Sequence, residues 1–186
     1  MNGQDAPHAP PPQTAVVQPV SPDTLSTPVY FSVSPLKLIL LSVCSFGFYE
    51  LYWFYANWHL IKSREKLNIR PIWRAIFTIL FCYQCFNRIR TTAQSLNPVK
   101  SFPAGPLTAV YIVLILTSRF PDPHWLLSFF SVLCLLPVQS AVNQINRTVN
   151  PAFQENDRFT PWNIVVVVLG GIVFLFAAVG SFLPPE

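Results

Sequence analysis

The sequence predicts an all-α polytopic membrane protein, a helical bundle with about four transmembrane helices and one interfacial amphipathic helix. Three observations predict it. Of the 186 residues, 52% are hydrophobic and only 11% charged. Apolar runs recur at lengths that a soluble domain of this size would struggle to bury. Many of the sixteen Phe, six Tyr and five Trp cluster near the ends of those runs, where amphipathic rings favour the headgroup region.

Residues 1–34 hold seven prolines, two acids and no Lys or Arg, too little apolar material for a packed core. They are expected to form a disordered or polyproline-like tail. With neither a basic start nor an apolar stretch behind it, this tail does not read as a secretory signal. The remainder, 35–184, reads as one transmembrane helical domain.

The first expected span is 36–57, long enough for one crossing at about 1.5 Å per residue. Gly47 and Glu50 interrupt its apolar character and mark a kink or a re-entrant hairpin. A basic stretch follows, with Lys62, Arg64, Lys66 and Arg70 against a single acid, Glu65. Pro71 then suits the first position of a helix over 71–92. At 100° per residue Arg74, Thr78, Cys85, Arg88 and Thr92 share one narrow stripe of it, and the rest is largely apolar. That pattern fits a helix lying along the interface or sunk among the others.

Residues 97–106, with three prolines and a glycine, read as a loop. The spans 106–120 and 124–142 flank the turn Pro121-Asp122-Pro123 and form a transmembrane hairpin, with Pro137 tolerated inside its second arm. Gln139, Asn143 and Asn146 recur at i, i+4 and i+7, a polar stripe expected to project past the bilayer. Thr160-Pro161 supplies a cap and a first-turn proline for the span 162–183. On it Gly170, Ala177 and Ser181 make a small-residue surface suited to the approach of another helix.

If 71–92 does not span, ten of the twelve basic residues fall on one side, leaving only Lys37 and Arg119 elsewhere. The positive-inside rule prefers that arrangement and makes the basic side cytoplasmic. Four crossings then put both termini outside. A re-entrant 36–57 instead keeps the tail inside with three true crossings, and charge barely separates the two.

Glu50 is the sharpest polar feature, because an acid within an apolar helix normally faces a partner or a water-filled cavity. Helical spacing places Glu50, Trp53, Phe54 and Asn57 on one face, with Arg74 or Arg88 as counter-ions. Glu50, Asn57, Arg74 and Arg88 are therefore the candidate intramembrane polar site, serving either ion coupling or a structural ion pair. Cys82-x-x-Cys85 has no second Cys pair or spaced His pair to complete a zinc site. All four cysteines lie in apolar segments and read as reduced hydrophobes. No nucleophile elbow, phosphate-cradling loop or carboxylate pair stands out, so the expectation is no enzyme, no catalytic residue, no metal and no cofactor. Basic residues interleaved with aromatics along 58–90 fit anionic headgroups better than nucleic acid.

The stretch Gly47 to Trp58, G-x-Y-x-x-Y-W-F-Y-x-N-W, resembles a family of uncharacterised bacterial multi-pass membrane proteins. Arg74-Ala75-Ile76-Phe77, Asn143-Gln144-Ile145-Asn146, Asn156-Asp157-Arg158-Phe159 and Trp162-Asn163 extend the resemblance over most of 31–184. It implies the bacterial inner membrane and brings no activity, substrate or site residue. The expected role is a non-enzymatic membrane module that associates with lipids, with other membrane proteins or with its own copies. The alternative is a small transporter or channel component that uses Glu50 as an ion- or proton-coupling group.

Overall fold

The computed structural model describes residues 28–96 and 99–183. The expected tail therefore lies outside the described residues as far as residue 27. Among the described residues the fold is all helical, in the order α1 (Pro35–Cys44), α2 (Phe48–Glu65), α3 (Pro71–Ile76), α4 (Thr78–Ser95), α5 (Ala104–Leu116), α6 (Ser131–Val149) and α7 (Pro161–Gly180). Short 3-10 turns over Thr117–Arg119 and His124–Phe130 close the α5–α6 hairpin. Two helical stretches, His124–Val149 and Pro161–Gly180, are long and apolar enough to cross a membrane.

The span expected over 36–57 is not one helix. Phe46 and Gly47 adopt φ of 53° and 83°, the left-handed region that ends a helix, and the chain restarts as α2 at Phe48. Ten residues of α1 rise only about 15 Å, half a hydrocarbon core. What begins as an interrupted apolar run thus becomes a helical hairpin.

The helix expected over 71–92 also divides, at Phe77, and its polar stripe turns inward. Thr78, Cys82, Cys85, Phe86, Ile89 and Ala93 are buried, while Ile72, Trp73, Ile76, Phe77, Leu80 and Tyr83 are exposed. An interfacial helix would present its charges to water. Here Arg74 and Arg88 find partners within the protein, and rings and branched chains face outward.

The core forms where α2, α4, α5 and α6 meet. Trp53, Phe54 and Trp58 of α2 are fully buried, so three of the seven rings between Gly47 and Trp58 are interior packing. Phe54 stacks on Phe86 at 5.9 Å between centroids and meets Tyr111 at 5.6 Å. Contact between α7 and the rest of the chain is narrower. It lies along α1, its Gly170 backs onto the Cys44 carbonyl, and none of its residues is buried. Thr160 caps it, accepting from the Asn163 amide at 3.4 Å, with Pro161 in the first turn as expected.

Side-chain pairings give the bundle two chemically distinct ends. At one, Lys37 Nζ donates to Asn156 Oδ1 and the Arg158 carbonyl at 2.8 and 2.7 Å. There too Arg64 donates to the Val29 carbonyl, Arg88 pairs with Glu65, and Arg147 pairs with Glu155. At the other end lie the α1–α2 turn, Arg119 and Trp125.

Candidate functional site

Two polar constellations occupy the interior. The first is a ladder of amides. The segment from Val29 to Val33 runs without helix or strand between α2 and α6, and it is not the disordered continuation of the tail that its composition suggested. Asn146 Oδ1 accepts from the backbone amides of Val29 and Tyr30 at 2.8 and 3.2 Å, and its Nδ2 donates to the Tyr30 carbonyl at 2.9 Å. Asn57 Oδ1 accepts from the Phe31 amide at 3.1 Å, Gln139 donates to the Phe31 carbonyl at 3.3 Å, and Asn143 donates to the Val33 carbonyl at 3.1 Å. Primary amides offer both a donor and acceptors, so they can satisfy backbone that has no strand partner. The stripe predicted to project beyond the bilayer therefore points into the protein, where it holds the 29–33 segment of the same chain.

The second is a cavity of about 610 Å³ at the opposite end of α2, around Glu50. Glu50 follows the α1–α2 turn directly, and its carboxylate is 5% exposed. The Ser131 hydroxyl donates to its two oxygens at 3.0 and 3.2 Å. The buried Tyr111 phenol of α5 is a further hydrogen-bonding neighbour. Phe46, Phe48, Trp125 and Phe129 line the walls, and Arg119 stands on the rim.

The structure does not bring the four residues singled out in the sequence to one place. Glu50, Trp53, Phe54 and Asn57 do share the buried face of α2. Asn57 serves the amide ladder instead of Glu50, and both expected counter-ions lie elsewhere. Arg88 pairs with Glu65. Arg74 stacks its guanidinium over Trp58, 4.4 Å from the ring centroid, and donates to Gln84 at 3.2 Å. Glu50 sits near the start of an 18-residue helix whose other end carries Glu65, and the arginines gather toward that other end. No basic side chain forms an ion pair with Glu50 among the described residues.

Comparison with protein-family models, with curated proteins and with solved structures returned no match to this chain. The site must therefore be read from its own chemistry. A carboxylate withdrawn from water is costly unless a cation or a proton offsets it. Two hydroxyl donors lower that cost without cancelling the charge. The arrangement is suited to accepting a positively charged group that enters from the cavity.

Ser131, Tyr111, Arg119 and Trp125 were not singled out as partners of Glu50 in the sequence. Ser131 and Tyr111 each place a hydroxyl in an apolar run, which is a weak signal. Arg119 was visible only as one of two basic residues away from the rest. The fold, by folding 36–57 back on itself, is what brings these three elements around one acid.

Proposed function

We propose that this chain is a multi-pass protein of the bacterial inner membrane, akin to the family whose aromatic motif it resembles. In this reading it works without catalysis, by holding an amphiphile from the bilayer in the cavity at Glu50. The observation that carries the reading is a buried carboxylate without a cation at the base of an aromatic-walled cavity of ligand size. The outward apolar faces of α7, with Trp162 79% and Phe176 75% exposed, support a lipid surrounding, since soluble proteins rarely leave so continuous an apolar surface in water. The same faces offer room for other membrane proteins or a second copy.

The proposed topology has α5, α6 and α7 crossing, with α1 and α2 entering and returning as a re-entrant hairpin. Support comes from the clustering of Lys37, Arg64, Arg88, Arg147 and Arg158 at one end with residues 29–34. By the positive-inside rule that end is cytoplasmic.

The test is native mass spectrometry of protein purified in mild detergent, reading retained amphiphile in wild type and in Ser128→Trp, whose indole would fill the cavity. Retention by wild type and loss in the variant are the expected results. Equal retention in both would move the lipid to the outer surface and overturn the reading.

A second reading makes Glu50 a coupling group for proton or ion movement, favoured by its direct contact with two hydroxyl-bearing side chains at the cavity floor. It requires a pathway, which so few helices supply only as an oligomer. Flux in proteoliposomes that is absent, or that is unaffected by Glu50→Gln, would remove it.

A further inference from the structure

We infer that the ligand of the Glu50 cavity is a phospholipid whose headgroup carries an ammonium, seated with its ammonium at Glu50 and its phosphate at Arg119. This rests on the cavity reading above and adds the chemical class of the occupant.

Three features of the cavity select that class. The charge to be met at its base is a single carboxylate with hydroxyl neighbours Ser131 and Tyr111. One carboxylate offsets only one positive charge, and the cavity's other side-chain oxygens, the hydroxyls of Ser118, Ser128, Ser131 and Tyr111, are not the carboxylates and carbonyls that calcium and magnesium sites use. The walls are rings, Phe46, Phe48, Trp125 and Phe129, and aromatic faces beside a carboxylate are a favoured setting for an organic ammonium. A bare alkali ion gains little there.

Arg119 supplies the second pole. It belongs to the same cavity, it is exposed, and no hydrogen bond or ion pair engages it among the described residues. It is also set apart from the other arginines, which gather at the opposite end of the bundle. A guanidinium free to fork onto two oxygens is matched to a phosphate. A buried carboxylate and an exposed guanidinium lining one cavity thus match the two charges of a zwitterionic headgroup.

The third feature is the route for the rest of the molecule. Phe48 and Leu51 line the cavity and are exposed, Phe48 by 72%, and Leu116 and Phe130, next in the chain to the lining residues Ile115 and Phe129, are exposed as well. They continue its apolar lining onto the outer face of the bundle, where acyl chains would lie. A soluble headgroup alone would leave that surface unused.

The experiment titrates detergent-solubilised full-length protein with four probes by native mass spectrometry. These are phosphatidylethanolamine, its N-acetylated form in which the ammonium is lost, phosphatidylglycerol, and free phosphoethanolamine. The expected result is binding of phosphatidylethanolamine about tenfold tighter than the N-acetylated lipid or phosphatidylglycerol, the order of one buried charge contact. Glu50→Gln should erase that preference, and Arg119→Gln should weaken all three lipids. Wild type alone decides the main point, so a variant that fails to fold leaves the test intact. Equal binding of the three lipids would overturn the ammonium assignment while leaving the cavity reading in place. Binding of none would overturn both. Free phosphoethanolamine binding as tightly as the lipid would overturn the lipid as its source.

Discussion

A side-chain carbon placed on Gly170 would land on the carbonyl oxygen of Cys44. This is how α7, with no buried residue of its own, is fixed to the rest of the chain: its backbone lies flush against the end of α1. The small-residue surface expected to suit the approach of another helix receives α1 of the same chain at Gly170, and Ser181 on the same surface accepts from Trp125 Nε1 at 2.9 Å. Gly170→Ala is expected to destabilise the protein by about 1–3 kcal/mol, the usual cost of overpacking, read as a lower thermal midpoint in detergent. Gly180→Ala meets open space and should leave the midpoint unchanged or slightly raised.

Removing the Asn146 amide strips three hydrogen bonds from Val29 and Tyr30. Asn146→Leu should therefore loosen the 29–33 segment, at about 1–3 kcal/mol for each backbone group left buried and unpaired. Hydrogen exchange at the Val29 and Tyr30 amides is the direct measurement. Protection equal to wild type would show that the amide ladder is not what holds them.

The proposed re-entrant hairpin predicts which reporter cysteines share a side, in a background lacking Cys44, Cys82, Cys85 and Cys134. Reporters at Pro28, Gln94 and Gln154 should be shielded together from an impermeant thiol reagent applied outside. Asp122 and Leu183 should be labelled. Labelling of Pro28 with the outer pair would instead restore a full crossing by the first two helices.

Replacing Glu50 with Gln keeps an acceptor for Ser131 and removes an uncompensated charge. Buried charges without partners cost stability, and binding sites often retain such cost. Glu50→Gln is expected to raise the thermal midpoint of lipid-free protein while reducing ligand retention. A lowered midpoint with normal retention would identify the carboxylate as a structural support.

Arg74 and Arg88 separate by environment. Arg74 lies over the fully buried Trp58, so Arg74→Ala should cost about 1–2 kcal/mol of cation–π and packing energy. The Arg88–Glu65 pair is partly exposed, each side chain about a third open to solvent, and Arg88→Ala should cost under about 1 kcal/mol. Denaturant titrations of the two variants test the order.

Helix type and the outer boundaries were legible because they rest on local chemistry. Thr160 and Pro161 mark the start of α7 by capping alone, and the buried face of α2 follows from helical spacing through Glu50, Trp53, Phe54 and Asn57. Gly47 announced the break in the first apolar run, although not that the two halves would pack as separate helices. Pairings at long range were not legible. Arg74 and Arg88 carry no local mark that sends one to Trp58 and the other to Glu65. Gln139, Asn143 and Asn146 announce a polar face, but whether it meets water or backbone depends on a segment more than a hundred residues away. The Glu50 cavity needs Ser131 and Tyr111 from two further helices, so it exists only once the topology does.

The amide ladder also sets an order of events. Tyr30 takes its backbone partner from Asn146, 116 positions later, so during synthesis this segment waits for that partner until α6 has been made. Until α6 arrives, Val29 to Val33 have only the α2 half of their groove, where Asn57 and Arg64 meet them. The 29–33 segment is thus locked in only after α6 exists, and it then ties α2 to α6 along their shared face.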